Sequence, residues 1–96
     1  MLLHEYIARS LPNDAYLANL YGDEYIDDRL CEYVYRSMKE KLALARDKGR
    51  GGWYREDCKI DDLKKMLIEH IDKGDMIDVI NFAAMIYAKK LMAEMQ

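Results

Sequence analysis

The stretch Glu69-His70-Ile71-Asp72-Lys73-Gly74-Asp75-Met76-Ile77-Asp78-Val79-Ile80-Asn81 decides the fold. Before it, Leu63, Met66, Leu67, His70 and Ile71 recur at helical spacing, and Asp61 or Asp62 stands where an N-cap belongs. After Lys73-Gly74, Asp75 can cap a second helix whose residues from Ile77 to Tyr87 are apolar almost all round, until Lys89 and Lys90 restore polarity. Two helices joined by so short a turn run antiparallel, so residues equally distant from Gly74 face one another and His70 comes near Asp78. Asp78 and Asn81 form the polar stripe of an otherwise apolar helix. Buried polar groups need partners, so a hydrogen-bonded cluster of His70, Asp78 and Asn81 is expected. Exposed in a cleft, the same three side chains could do acid/base or metal-ligand work.

Working outward, the spacing of Leu30, Val34, Met38, Leu42 and Ala45 predicts a long amphipathic helix over residues 23–47, with charged residues between them. Pro12 divides the N-terminal quarter into short helices over 1–22, because proline disfavours helical geometry in the residue before it. No alternation of apolar and polar residues is sustained. The expectation is therefore an all-α chain, a compact bundle of four or five helices with a C-terminal antiparallel hairpin over 61–95. At 96 residues, only one domain, spanning 1–96, is comfortable.

The charge balance, 18 acidic against 15 basic residues, gives no general attraction to nucleic acid or anionic lipid. DNA is an unfavoured partner, and the acidic residues Glu24, Asp28 and Glu32 at four-residue steps reinforce this. No apolar run is long enough to span a membrane. Cys31 and Cys58 read as free thiols in a reducing compartment, and the opening residues have no signal-peptide pattern, so the expected location is the cytoplasm.

The net charge conceals a local exception. Residues 48–60 form a glycine-rich basic loop, and the segment Arg46-Asp47-Lys48-Gly49-Arg50-Gly51-Gly52-Trp53-Tyr54-Arg55 carries four basic side chains to one acidic. Glycine allows backbone amides to approach an anion, arginine offers bidentate donors and tryptophan a stacking face. Lys48, Arg50, Gly51, Gly52, Trp53 and Arg55 are accordingly the candidate ligand-binding residues. The competing structural reading is helix termination at Gly49 followed by a connector that places Trp53 on the core.

The residues Lys48-Gly49-Arg50-Gly51-Gly52-Trp53, followed by Leu63-x-x-Met66-Leu67-x-Glu69-His70-x-x-Lys73-Gly74-Asp75-x-x-Asp78-Val79-x-Asn81-Phe82-x-x-Met85, resemble a family of small proteins and C-terminal modules of tailed bacteriophages. The resemblance covers about residues 39–88 and implies a phage protein made in the cytoplasm of a bacterial host. It also suggests a role in nucleotide metabolism or against a host system. More distantly, the chain is similar to the all-α NTP pyrophosphohydrolases of the MazG type. That similarity would make Asp75 and Asp78 one Mg²⁺-binding pair, and Glu24, Asp28 and Glu32 the other. No Glu-x-x-Glu motif is present.

Two functions follow. The favoured one is a non-enzymatic phage accessory protein, without cofactor, that binds a host protein or a phosphate-bearing nucleotide ligand through the Lys48–Arg55 loop. Its apolar C-terminal helix would make it a homo-oligomer. The alternative is a Mg²⁺-dependent nucleotide pyrophosphohydrolase with Asp75 and Asp78 as ligands, Lys48 and Arg50 on the phosphates and Trp53 on the base.

Overall fold

Helix-compatible spacing dominates the chain, and the computed structural model, which describes residues 2–95, is all-α. It comprises α1 (Leu3–Tyr21), α2 (Asp23–Asp47), α3 (Ile60–Lys73) and α4 (Met76–Glu94), with no strand among the described residues. Their contacts form two compact units, Met1–Ser37 and Met38–Gln96, so α2 contributes its first part to one and its second part to the other.

In the first unit α1 is a single helix through Pro12, in place of the two short helices expected from that proline. Pro12 has no N–H to donate to Ala8, and its ring crowds that carbonyl. What holds the helix through this break is a common partner on either side of it. Asp14 accepts a hydrogen bond from the Tyr33 hydroxyl, while the Tyr6 ring packs edge-on against Tyr33 with centroids 6.1 Å apart. Asp14 also accepts from Tyr25 Oη and Arg29 Nε, each at 3.3 Å, and Arg29 Nη2 donates to Tyr33 Oη at the same distance.

The side of α2 used here is therefore Tyr25–Arg29–Tyr33, at four-residue steps, and not the stripe begun by Leu30, which is 54% exposed. Asp14 and Tyr33 are both buried. A buried carboxylate is tolerable only when paired and hydrogen-bonded, and three donors meet that condition.

The second unit is built on the hairpin. Among the described residues, α3 and α4 are the pair of helices whose backbones pack closely, with Leu63 at the centre of the contact and 2% exposed. Their turn is a Schellman closure, in which Gly74 N–H donates to Ile71 O at 3.1 Å and Asp75 N–H to His70 O at 3.0 Å. Gly74 has φ 79 and ψ 14, a left-handed conformation costing an L-residue with a side chain about 1–2 kcal/mol. The helix starts are close to those expected. Lys59 is the N-cap of α3 with Asp61 and Asp62 in its first turn, and Asp75 is the N-cap of α4.

The Tyr33 hydrogen bond, supported by Arg29, holds the Asp14 carboxyl below its ordinary value of 3.8, against the opposing effect of burial. A depressed carboxyl pKa stabilises the fold above the unfolded value, and that contribution is lost as pH falls through the folded value. Below about pH 4 the stability of the native chain should therefore decline with acid. Asp14→Asn should have a lower Tm at neutral pH and a flatter acid limb, as measured by circular dichroism melts across pH. An unchanged acid limb would remove Asp14 as its cause.

Candidate functional site

α2 ends as the competing structural reading anticipated. Gly49, at φ 78, donates to Arg46 O at 2.9 Å and Arg50 N–H donates to Ala45 O at 2.9 Å, a second Schellman closure. The chain then turns repeatedly, with Arg55 N–H donating to Gly52 O at 3.0 Å and Cys58 N–H to Arg55 O at 3.1 Å. Gly52 is at φ 78, and a Cβ there would stand 3.1 Å from Cδ and Nε of Arg55. A side chain at this position would be strained by the backbone conformation and would require the Arg55 side chain to give by a few tenths of an ångström.

This loop is fastened to α4 by one residue. Lys89 Nζ donates to the Trp53 carbonyl at 3.0 Å and to the Arg55 carbonyl at 2.9 Å. An ammonium has three donors and two are used here, each a charge-assisted bond to a backbone group that has no helical partner. The Trp53 ring meets Tyr54 edge-on with centroids 5.9 Å apart, and the Arg55 guanidinium lies 6.0 Å from the Tyr54 centroid. Arg55 is thus part of the loop's own packing. Lys48 and Arg50 are exposed, and among the described residues their side chains have no hydrogen-bond or ion-pair partner.

Trp53 also lines a cavity of about 260 Å³ with Met38, Leu42, Asn81, Ala84, Met85 and Ala88. The loop, the second part of α2 and α4 each contribute to its wall, which is apolar apart from Asn81. Asn81 is 4% exposed, and its buried Oδ1 has no hydrogen-bond partner.

The expected cluster of His70, Asp78 and Asn81 is brought together only in part. One ligand atom each from His70, Asp75 and Asp78 lie within 4.8 Å of one another. No hydrogen bond joins His70, Asp78 and Asn81. His70 Nδ1 is buried without a partner, the His70 ring packs on Phe82 at 5.1 Å, and Asp78 Oδ2 faces Lys41 Nζ at 3.6 Å. Asp78 is drawn to an opposite charge, while Asn81, three residues on, reaches the cavity.

His70, Asp75 and Asp78 are the residues able to hold a divalent ion. Their mixture of imidazole and carboxylate suits a transition ion better than Mg²⁺, which prefers oxygen ligands. Glu24, Asp28 and Glu32 belong to the first unit, where Glu32 accepts from Arg36 at 2.9 Å. Cys31 and Cys58 are free thiols, and no described helix is long and apolar enough to cross a membrane.

A buried acceptor without a donor costs about 1–3 kcal/mol. The adjoining cavity leaves room for a branched side chain, so Asn81→Leu should keep the fold and raise unfolding free energy by up to about that amount in urea titration. A destabilised variant would show that Asn81 is satisfied in solution. Set against protein-family models, curated proteins and solved structures, the chain matches none, so its function has to be read from its own side chains.

Proposed function

We propose that this chain acts by binding, and that its contact surface is the Lys48–Arg55 loop, which receives a phosphate-bearing ligand. The observation that carries the reading is the Lys89 clasp. A loop with three glycines would ordinarily lose much conformational entropy on meeting a ligand. Here two carbonyls are already tied to α4, and the cations Lys48 and Arg50 remain exposed and unpaired. Preorganisation of this kind lowers the cost of association. The resemblance to phage proteins supplies the setting within the same proposal, an accessory protein acting in a bacterial host. The exposed side chains Tyr87 and Leu91 of α4 and Met95 just after its end support self-association.

A second reading, Mg²⁺-dependent pyrophosphohydrolysis, is favoured by one observation, the proximity of His70, Asp75 and Asp78. Its carboxylate pair would bind Mg²⁺ with help from water and substrate phosphates, and the ion would supply charge neutralisation at the phosphates. The binding reading rests on the loop instead, and uses groups whose partners are absent from their surroundings.

Isothermal titration with ribose 5-phosphate tests the loop. Lys48→Ala and Arg50→Ala should each weaken binding by about tenfold, the loss of one charge-assisted contact, without lowering Tm. Lys89→Ala should weaken it through loss of loop order. Under the binding reading the native chain releases no pyrophosphate from nucleoside triphosphates with Mg²⁺. Turnover abolished by Asp78→Ala would establish the second reading in its place.

A further inference from the structure

α4 is apolar almost all round, yet only part of its circumference is covered. Asn81, Ala84, Met85 and Ala88 line the cavity, and α3 is the helix whose backbone packs against it. On the side away from the cavity, Met76, Ile80, Ala83, Tyr87 and Leu91 follow one another at steps of four, three, four and four, the spacing of a helix–helix seam. Met76 is 50%, Tyr87 66% and Leu91 41% exposed, while Ala83 is exposed and Ile80 half-buried. Among the described hydrophobic residues of this unit Leu63 alone is buried, so the unit leaves much of its own apolar surface open.

We infer that this seam is the interface with a second copy of the chain, α4 lying antiparallel on the partner's α4 about a two-fold axis at Ala83. The seam is self-complementary, because Ile80 and Tyr87, and likewise Met76 and Leu91, stand at nearly equal distances on either side of Ala83. Reversal therefore sets Tyr87 on the partner's Ile80 and Leu91 on the partner's Met76, as a two-fold contact of one patch with itself requires. The small Ala83 at the crossing lets the axes approach to the near end of the usual range of about 8–10 Å. This gives a geometry to the self-association named above and makes no use of the Lys48–Arg55 loop.

Charge selects the same occupant and orientation. Asp75, the N-cap of α4, makes no capping hydrogen bond with its side chain, and Lys90 is exposed near the other end of the helix. Among the described residues neither side chain has a hydrogen bond or ion pair. Antiparallel pairing brings each Lys90 beside the partner's Asp75, whereas parallel pairing would set like charges together. The exposed area agrees. Two separate globules with the masses of the two units would together expose about 6,900 Å² by the scaling of surface with mass. The chain exposes 7466 Å². The surplus of about 600 Å² approaches one partner's share, about 800 Å², of a standard interface.

Sedimentation equilibrium of the full chain at micromolar concentration should give twice the chain mass of 11.3 kDa. Ala83→Glu opposes two carboxylates at the axis and should raise the dimer dissociation constant by about 100-fold or more, with helicity by circular dichroism retained. Asp75→Lys and Lys90→Glu should each weaken the dimer by about tenfold, and the two together should restore it. Such a rescue separates a contact across the interface from a loss of folding.

Ribose 5-phosphate is titrated into the same samples to keep the two readings apart. A chain that dimerises in this way yet binds no ribose 5-phosphate upholds the interface and rejects the loop. A monomer at about 100 μM, weaker than the micromolar association expected of such an interface, would overturn the inference and leave the loop reading standing. An assembly larger than a dimer, a dimer indifferent to Ala83→Glu, or a double charge exchange that restores nothing would also overturn it.

Discussion

The second unit depends on the closure at Gly74. Its left-handed backbone lets α3 terminate and α4 begin within two residues, and so brings two apolar helix faces together around Leu63. The candidate site in this unit hangs from that hairpin. α4 presents Asn81 at one point and Lys89 two turns later, and Lys89 in turn holds the loop that would otherwise be an unconstrained run of glycines. A turn conformation worth about 1–2 kcal/mol thereby controls where a tryptophan and two cations stand.

The first unit is secured differently. Its centre is a carboxylate, Asp14, with tyrosine and arginine donors around it, and long side chains span the separation between α1 and α2. Burial and the Asp14 charge push the Tyr25 hydroxyl above its ordinary value of 10, while its Tyr33 and Asp14 hydrogen bonds hold the Arg29 guanidinium firmly protonated. Asp14, Tyr25 and Arg29 are each thereby held more firmly in the charge state they have at neutral pH. Polar closure of this kind specifies register well, since a shift of α2 by one residue would leave Asp14 without its donors.

Much of the helical plan was legible in the sequence, because apolar spacing and glycine position act locally. The limits of α2, the antiparallel hairpin and the termination of α2 at Gly49 follow from neighbours in sequence. Continuity through Pro12 did not, since it depends on Tyr6 and Asp14 sharing a partner, Tyr33, on the next helix. In the first part of α2 one buried side was obscured likewise: Tyr25, Arg29 and Tyr33 form a stripe by hydrogen bonding, whereas apolarity selects the exposed Leu30 along with the half-buried Val34, Met38, Leu42 and Ala45.

At the site, the chemistry of Lys48, Arg50 and Trp53 could be read from composition, but the role of Lys89 could not. A lysine ending an apolar run signals only the return of polarity. That its ammonium meets two loop carbonyls 34 and 36 residues earlier is a fact of tertiary structure. The expected His70–Asp78–Asn81 network failed on a similar point: helical spacing predicts proximity, while Lys41 and the cavity decide where Asp78 and Asn81 turn. Two buried atoms, His70 Nδ1 and Asn81 Oδ1, are left without a hydrogen-bond partner among the described residues.

The central claim is that the clasped Lys48–Arg55 loop is a binding surface for a phosphate-bearing ligand. Its most direct test is ¹H–¹⁵N correlation NMR of the full chain during titration with AMP. The account predicts saturable shifts confined to the amides of residues 48–55 and the Trp53 indole N–H, with the amides of α1 unmoved. Shifts centred on α1, or a spectrum unchanged at those positions under saturating AMP, would contradict it.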